Sequence, residues 1–290
     1  MIKRLCIIGV GLIGGSLARA LKAVHGCEEI VGAGRSSKAL DEALALGVID
    51  RAETDLARAV AGAEVILLGV PVGAVEAVLR QIQPHLAPAT IITDVGSTKG
   101  SVVAAAEAVF GCLPPRFIPA HPIAGTEKSG VGASFAELFQ QRKVILTPGA
   151  DADPQALETV RWIWQQAGAE VCEMSVRHHD EVLAATSHLP HVLAFTLVDT
   201  LARLEDHDDI FRYAAGGFRD FTRIASSNPQ MWHDICINNR DALLLMLKRF
   251  SHELDCLADA IATGDGASLL ASFERAKAAR DSYCDKHSSP

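Results

Sequence analysis

Apolar and polar positions alternate in two different rhythms along this chain. Through roughly the first 176 residues, short apolar runs are separated by amphipathic stretches. The runs are Leu5–Ile8, Glu29–Ala33, Val65–Leu68, Thr90–Thr93, Phe117–Pro119, Val144–Thr147 and Glu170–Glu173. Strand-length runs alternating with helical spacing predict βαβ units and a parallel sheet. After Ser175 the rhythm becomes helical throughout, over 177–205, 208–226, 229–263 and 265–282, with no convincing strand. The pattern therefore predicts an α/β domain over 1–176 and an all-helical domain over 177–290. A helix through Ile235–Leu257 carries Leu243, Leu244, Leu245, Met246, Leu247 and Phe250, which is more apolar surface than one face holds. A helical core or a second copy of the chain must cover it, and a homodimer is the expectation. The tail Cys284–Pro290 is polar and predicted to fray.

The first strand runs straight into Gly9-Val-Gly11-Leu12-Ile13-Gly14, and Leu12, Ile13, Leu17 and Leu21 follow at helical spacing. Strand, Gly-x-Gly-x-x-Gly and helix in that order form the fingerprint of a Rossmann-type dinucleotide site. Gly9 allows the tight turn, Gly11 lets a pyrophosphate approach the backbone, and Gly14 lets helix and strand pack closely. The helix N-terminus then offers free N–H groups to phosphate. Lys3 and Arg4 ahead of an apolar run resemble the start of an export signal. Four glycines interrupt that run, and no small-residue cleavage site follows.

Composition narrows the partners. The net charge of −8 argues against a nucleic-acid binder, which needs an excess of Lys and Arg, so an anionic ligand would require a local basic pocket. Pro71 and Glu76 break the longest apolar region, Val65–Leu79, and no segment reads as a membrane span. The seven cysteines are scattered and never in C-x-x-C spacing, which suggests neither a disulfide framework nor a zinc site and fits a reducing cytoplasm.

A site selective for NAD usually ends its second strand with an acid that holds the ribose hydroxyls. Here the tip reads Ala33-Gly34-Arg35-Ser36-Ser37. Arg35 could pair with a 2′-phosphate and Ser36 and Ser37 could donate to it, so NADP is favoured and NAD is possible. The competing reading has Ser36 capping the next helix and Arg35 simply solvated.

Three later stretches carry candidate chemistry. Asp94-Val95-Gly96-Ser97-Thr98-Lys99 follows a strand at the edge where ligands of such folds collect. Ser97 could reach both nicotinamide and substrate, or Ser97 or Thr98 could merely cap a helix starting near Lys99. His121 lies among prolines and glycines in Pro119-Ala-His121-Pro122-Ile-Ala-Gly125. Its ordinary pKa suits it to take a proton from an alcohol as hydride leaves the same carbon. In Ser187-His188-Leu-Pro190-His191 two imidazoles lie one turn apart. They read as a metal pair without an evident third ligand, as packing histidines, or as a pocket wall where Pro190 distorts the helix. Asp220 and Arg223, at i and i+3, share a helix face. They form either a surface ion pair or a unit in which Asp220 orients Arg223 toward a substrate carboxylate, with Trp232 as a nearby wall.

Taken in order, Gly9-x-Gly11-Leu-Ile-Gly14, Asp94-Val-Gly-Ser97-x-Lys99, His121-Pro-x-Ala-Gly-Thr126-Glu127, Ser187-His188-Leu-Pro-His191 and Phe218-Arg-Asp220-x-x-Arg223 resemble the prephenate/arogenate dehydrogenase family of tyrosine biosynthesis. The resemblance implies oxidative decarboxylation of a cyclohexadienol with hydride transfer to NAD(P)+. It implies that His121 takes the ring hydroxyl's proton, that Ser97 bonds that hydroxyl, and that Arg223 binds a carboxylate. His191 would be a further polar contact, with His188 beside it, and Thr126 and Glu127 would line the entrance. Tyrosine is then a candidate competitive inhibitor, and no mutase segment or separate regulatory domain is expected. Rival layouts are another two-domain dehydrogenase, such as a β-hydroxyacid dehydrogenase, and a non-catalytic NADP-binding sensor.

Overall fold

The computed structural model describes residues 1–126 and 128–287. The N-terminal half alternates strand and helix: β1 (Ile2–Ile8), α1 (Leu12–Ala23), β2 (Cys27–Ala33), α2 (Ser37–Ala45), β3 (Arg51–Glu53), α3 (Leu56–Val60), β4 (Val65–Leu68), α4 (Val75–Ile82), β5 (Ile91–Asp94), α5 (Lys99–Phe110) and β6 (Phe117–Ile118). The six strands pair in parallel in the order β3-β2-β1-β4-β5-β6. Strand order reverses between β1 and β4, and a crevice for ligands opens at the carboxyl ends of strands at such a point. Side chains alternate across the sheet. Leu5, Ile7, Ile30 and Leu67 enter the core on one face, while Cys6, Ile8, Val31 and Leu68 enter the core on the other. Burial on both faces explains why these strands read as continuous apolar runs.

A second, three-stranded sheet follows, built from β7 (Ala120–Pro122), β8 (Lys143–Leu146) and β9 (Glu170–Glu173), with α6 (Pro154–Gln166) between the last two. Here the expectation of a parallel sheet needs correction, because β7 pairs antiparallel to β8 and only β8 and β9 are parallel. Two strands went unforeseen, β3 and β7. Each is three residues long, too short for a periodicity to register. The consequence for His121 is that it sits on a strand, opposite Ile145, rather than on a free loop.

From Val176 on, the described chain is helical: α7 (Val176–Leu183), a π-turn over Ala184–His188, α8 (Leu189–Ala202), α9 (His207–Arg212), α10 (Gly216–Thr222), a 3-10 turn over Arg223–Ser226, α11 (Pro229–Asn238), α12 (Arg240–Thr263) and α13 (Gly266–His287). The π-turn is the form taken by the distortion expected at Pro190, which lacks a backbone donor. Through this turn α7 and α8 make one run of 27 residues, long enough to cross a membrane, within which an 18-residue stretch reaches a mean hydropathy of 1.2. The sequence pattern places this stretch inside one helical segment, 177–205, and reads no segment as a membrane span. The run nevertheless carries His179 and Asp180, which bond to residues of the α/β half, as a packed helix of a folded core does. The single helix expected over 229–263 is also broken, at Asn239, whose side chain bonds elsewhere in the fold.

Contacts divide the chain into two compact units, the first Met1–Ala242 and the second from Leu243 onward. The first holds the whole α/β half together with α7–α11. The second holds most of α12 and α13, and Leu244, Leu245, Leu254, Ile261, Leu270 and Phe273 are exposed on it.

Candidate active site

The glycine turn is shaped for a dinucleotide. Gly9 has φ +96°, and a Cβ there would stand 2.5 Å from the carbonyl oxygen of Gly69 at the end of β4, so no other residue fits. A Cβ on Gly14 would lie 2.8 Å from Ile7, which is how α1 packs tightly on β1. Gly11 faces open space and forms the N-cap of α1 without any side-chain cap, and no acid occupies the first turn. Leu12 and Ile13, half-buried, begin the helix. The backbone N–H groups there lack a protein acceptor and suit phosphate oxygens. At the tip of β2, Arg35 is exposed and no described residue pairs with it. Ser36 caps α2, its Oγ accepting from the N–H of Ala39 at 3.3 Å, which leaves its hydroxyl proton to donate; Ser37 is exposed beside it.

At the end of β5, a buried ion pair sets the next loop. Lys99 and Asp94 are both fully buried and bonded to each other. The Lys99 ammonium also donates to the carbonyl of Ala120 at 2.7 Å, while Asp94 accepts from the N–H groups of Gly96 at 2.7 Å and Ala120 at 3.1 Å. The peptide just before His121 is thereby clamped from both sides. Burial lowers the Lys99 pKa and Asp94 opposes that shift. Neither Ser97 nor Thr98 caps α5. Thr98 bonds instead to the Ser101 hydroxyl at 2.7 Å, and Ser97 stays half-buried. The cap comes from far along the chain: Asp180 of α7 accepts from the N–H groups of Lys99 and Gly100, each at 2.8 Å. A Cβ on Gly100 would lie 2.8 Å from that carboxylate, so the approach requires glycine.

Next to Asp180 a row of imidazoles begins. His179 Nδ1 lies 2.7 Å from Asp180 Oδ1, and His179 Nε2 lies 2.9 Å from His121 Nδ1. The two rings meet edge-on at 61°. Asp180 would be pushed up by burial, but the bonds from His179, Lys99 and Gly100 hold it below the usual carboxylate value. Burial drives His121 well below the ordinary 6.5, and the neighbouring His179, Lys99 and His188 push it further. Burial also lowers His179, against the pull of Asp180. His188, at the end of the π-turn, is 1% exposed, and its pKa falls to about 4, burial being the main cause. Its Nδ1 lies 3.0 Å from the Asn239 amide nitrogen, which also donates to the Asp180 carbonyl at 2.9 Å. No described residue bonds to His188 Nε2. His191 donates from Nδ1 to the Ser187 carbonyl, 2.9 Å away, and stacks on Trp232 with ring centroids 3.7 Å apart. Burial lowers the His191 pKa, the Ser187 carbonyl opposes it, and the Arg223 charge lowers it further. The site is thus a cluster of neutral histidines beside the multiply bonded carboxylate of Asp180.

Two family models cover the chain: the prephenate dehydrogenase nucleotide-binding domain over residues 17–173 and the prephenate dehydrogenase dimerization domain over residues 175–275. The cyclohexadienyl dehydrogenase of Zymomonas mobilis is 43% identical over 283 residues, spanning 96% of this chain and 95% of the relative. The prephenate dehydrogenase of Bacillus subtilis is 39% identical over 279 residues, 95% of this chain and 74% of its own. The chain belongs to the prephenate dehydrogenase family. Among solved structures, prephenate dehydrogenase from A. aeolicus in complex with hydroxyphenyl propionate and NAD+ superposes with a TM-score of 0.90 at 35% identity, covering 98% of this chain and 99% of that one.

In this prephenate dehydrogenase family member the fold brings together His121, His188, His191 and Trp232, with the Arg223 charge felt at His191. It does not pair Asp220 with Arg223. Both are exposed, and no ion pair joins them among the described residues, because α10 gives way to a 3-10 turn at Arg223 and ends the α-helical register that would align them. Thr126 is exposed, its Oγ1 accepting from the Lys128 N–H at 3.2 Å; Glu127 lies outside the described residues. Sequence reasoning passed over His179, Asp180 and Asn239. The signal available was the run His178-His179-Asp180 directly behind the Ser175 cap of α7, too polar to be ordinary packing.

Proposed function

We propose that this chain catalyses the oxidative decarboxylation of prephenate, of arogenate, or of both, with NADP+ as the favoured acceptor and NAD+ accepted. The observation that carries this reading is His121: a buried, neutral imidazole, bonded at Nδ1 to His179, with no described partner at Nε2. Such a nitrogen can take the proton of a ring hydroxyl as hydride leaves the carbon that bears it. A bound nicotinamide dinucleotide supplies the acceptor for that hydride. The turn at Gly9, Gly11 and Gly14 would hold its pyrophosphate, and exposed Arg35 with Ser37 and the Ser36 hydroxyl would meet a 2′-phosphate. Ser97 bonds the reacting hydroxyl. Arg223 takes a substrate carboxylate through its planar fork, and Thr126 borders the entrance. His188, His191 and Trp232 form the opposite wall. Loss of CO₂ leaves an aromatic ring, so the conversion runs one way. Tyrosine, which shares the ring and a carboxylate with the product side, would compete at the same site. The family's dimerization domain and the exposed apolar side chains of α12 and α13 support a homodimer. The same reading divides the chain at 176/177 and places the enzyme in the cytoplasm, which its scattered cysteines, never in C-x-x-C spacing, fit.

The deciding experiment measures initial rates of cofactor reduction with prephenate and with arogenate, each against NAD+ and NADP+. Turnover of at least one substrate is expected, with a higher kcat/KM for NADP+. A folded protein that reduces neither cofactor with either substrate would remove the reading.

A further inference from the structure

The hydrogen bonds behind the two buried imidazoles have fixed directions. Asp180 can only accept, since its carboxylate already receives the N–H groups of Lys99 and Gly100. His179 must therefore carry its proton on Nδ1, 2.7 Å from Asp180, and a neutral His179 then has a bare Nε2. That bare nitrogen lies 2.9 Å from His121 Nδ1, so His121 must donate there. On the other side, the Asp180 carbonyl can only accept, which fixes the Asn239 amide with its nitrogen toward both that carbonyl and His188. The second amide hydrogen points to His188 Nδ1, which must accept it. We propose that Asp180, acting through His179, holds His121 with a bare Nε2, and that Asn239 holds His188 with a protonated Nε2, so one carboxamide and one carboxylate set opposite tautomers in the two rings.

The consequence, resting on the function proposed above, is a site that presents one acceptor and one donor without either ring being charged. His188 Nε2 is buried with no described partner, which leaves its proton for an oxygen of the ligand. The proton balance at His121 also closes. As the substrate O–H breaks, an N–H forms at His121 Nε2; the Nδ1 proton of His121 can then cross to His179 Nε2. The positive charge thereby moves to the ring that faces the Asp180 carboxylate. The titratable and charged groups around this path are Lys99 from α5 with its partner Asp94 from β5, His179 and Asp180 from α7, and His188 from the π-turn. Lys99 disfavours a charge on either ring, while Asp180 and Asp94 favour one on His179, so the transfer carries the charge toward the carboxylates. His179, Asp180 and Asn239 are positioning residues in this scheme, and none of them touches the substrate.

The test uses the unliganded full-length protein with isotope-labelled histidine, assigned by single substitutions, and reads tautomers from two-bond proton–nitrogen NMR correlations at neutral pH. His121 and His179 are expected as Nδ1–H tautomers and His188 as the Nε2–H tautomer. Finding His121 with its proton on Nε2, or His188 with its proton on Nδ1, would overturn the proposal whether or not the protein turns over prephenate. Kinetics supply a second arm. His179→Phe should lower kcat by about 10- to 100-fold with little change in KM, because nothing then holds the Nδ1–H tautomer of His121 or takes up its Nδ1 proton. His179→Gln, whose amide oxygen can still accept from His121, should recover most of that loss. Equal damage from both variants, with both folded by thermal melting, would reduce His179 to a packing residue.

Discussion

A neutral base buried among other bases is the feature from which the residue-scale predictions follow. His121→Asn should lower kcat by about 10²- to 10⁴-fold while KM moves little, since the loss falls on proton transfer; a near-wild-type kcat would take His121 out of that role. The pH dependence has a definite sign. The folded-state pKa of His121 lies well below 6.5, and the neutral form is the active one. The acid limb of kcat/KM should therefore appear only below that ordinary histidine value, and a limb centred at or above it would contradict the burial argument. Arg35→Ala should weaken NADP+ binding more than NAD+ binding, read by fluorescence titration; equal losses would leave Arg35 a solvated side chain. His121 was legible in the sequence because prolines and glycines frame it. His179 was not, because its contact with His121 spans 58 residues of chain and arises only when α7 packs on α5. Local spacing carries no trace of such a pairing.

Among elements, α5 shows most clearly how one segment is held by several others. Its first residue, Lys99, is fully buried with Asp94 at its side and the Ala120 carbonyl above it. Lys99→Met should cost about 3–5 kcal/mol in urea unfolding, because it leaves the Asp94 charge buried without its counter-ion. Adding Asp94→Asn should recover part of that loss, and a mild single-variant effect would mean that water reaches the pair. The sheet was readable from apolar runs wherever a strand was buried on both faces, as β1, β4 and β5 are. The three-residue β3 and β7 were not, and neither was the break at Asn239, because apolar spacing continues across it from Ile235 to Leu243. Pro190 announced a distortion in the helix but not its form. Only the structure gives the π-turn that carries His188 inward.

For the molecule as a whole, the second compact unit exposes Leu270 and Phe273 at 59% and 60%. A lone chain rarely leaves so much apolar surface in water. The protein should sediment as a dimer, and Leu270→Glu with Phe273→Glu should yield a monomer; an unchanged mass would place the dimer contact elsewhere. The Asp180 cap on α5 carries a different lesson, about where this protein can be recombined. The sequence changes rhythm at 176, and that is where an engineer would splice halves from two relatives. Such a splice would pair α5 with a foreign α7 and stake the cap, the His179 contact and the Asn239 bond on a mismatched surface. A splice after Ala242, where the first compact unit ends, keeps all three within one parent. Chimaeras joined after 242 should fold and retain turnover where those joined at 176 lose it. The unit of inheritance for this active site is the first 242 residues, not the nucleotide-binding fold alone.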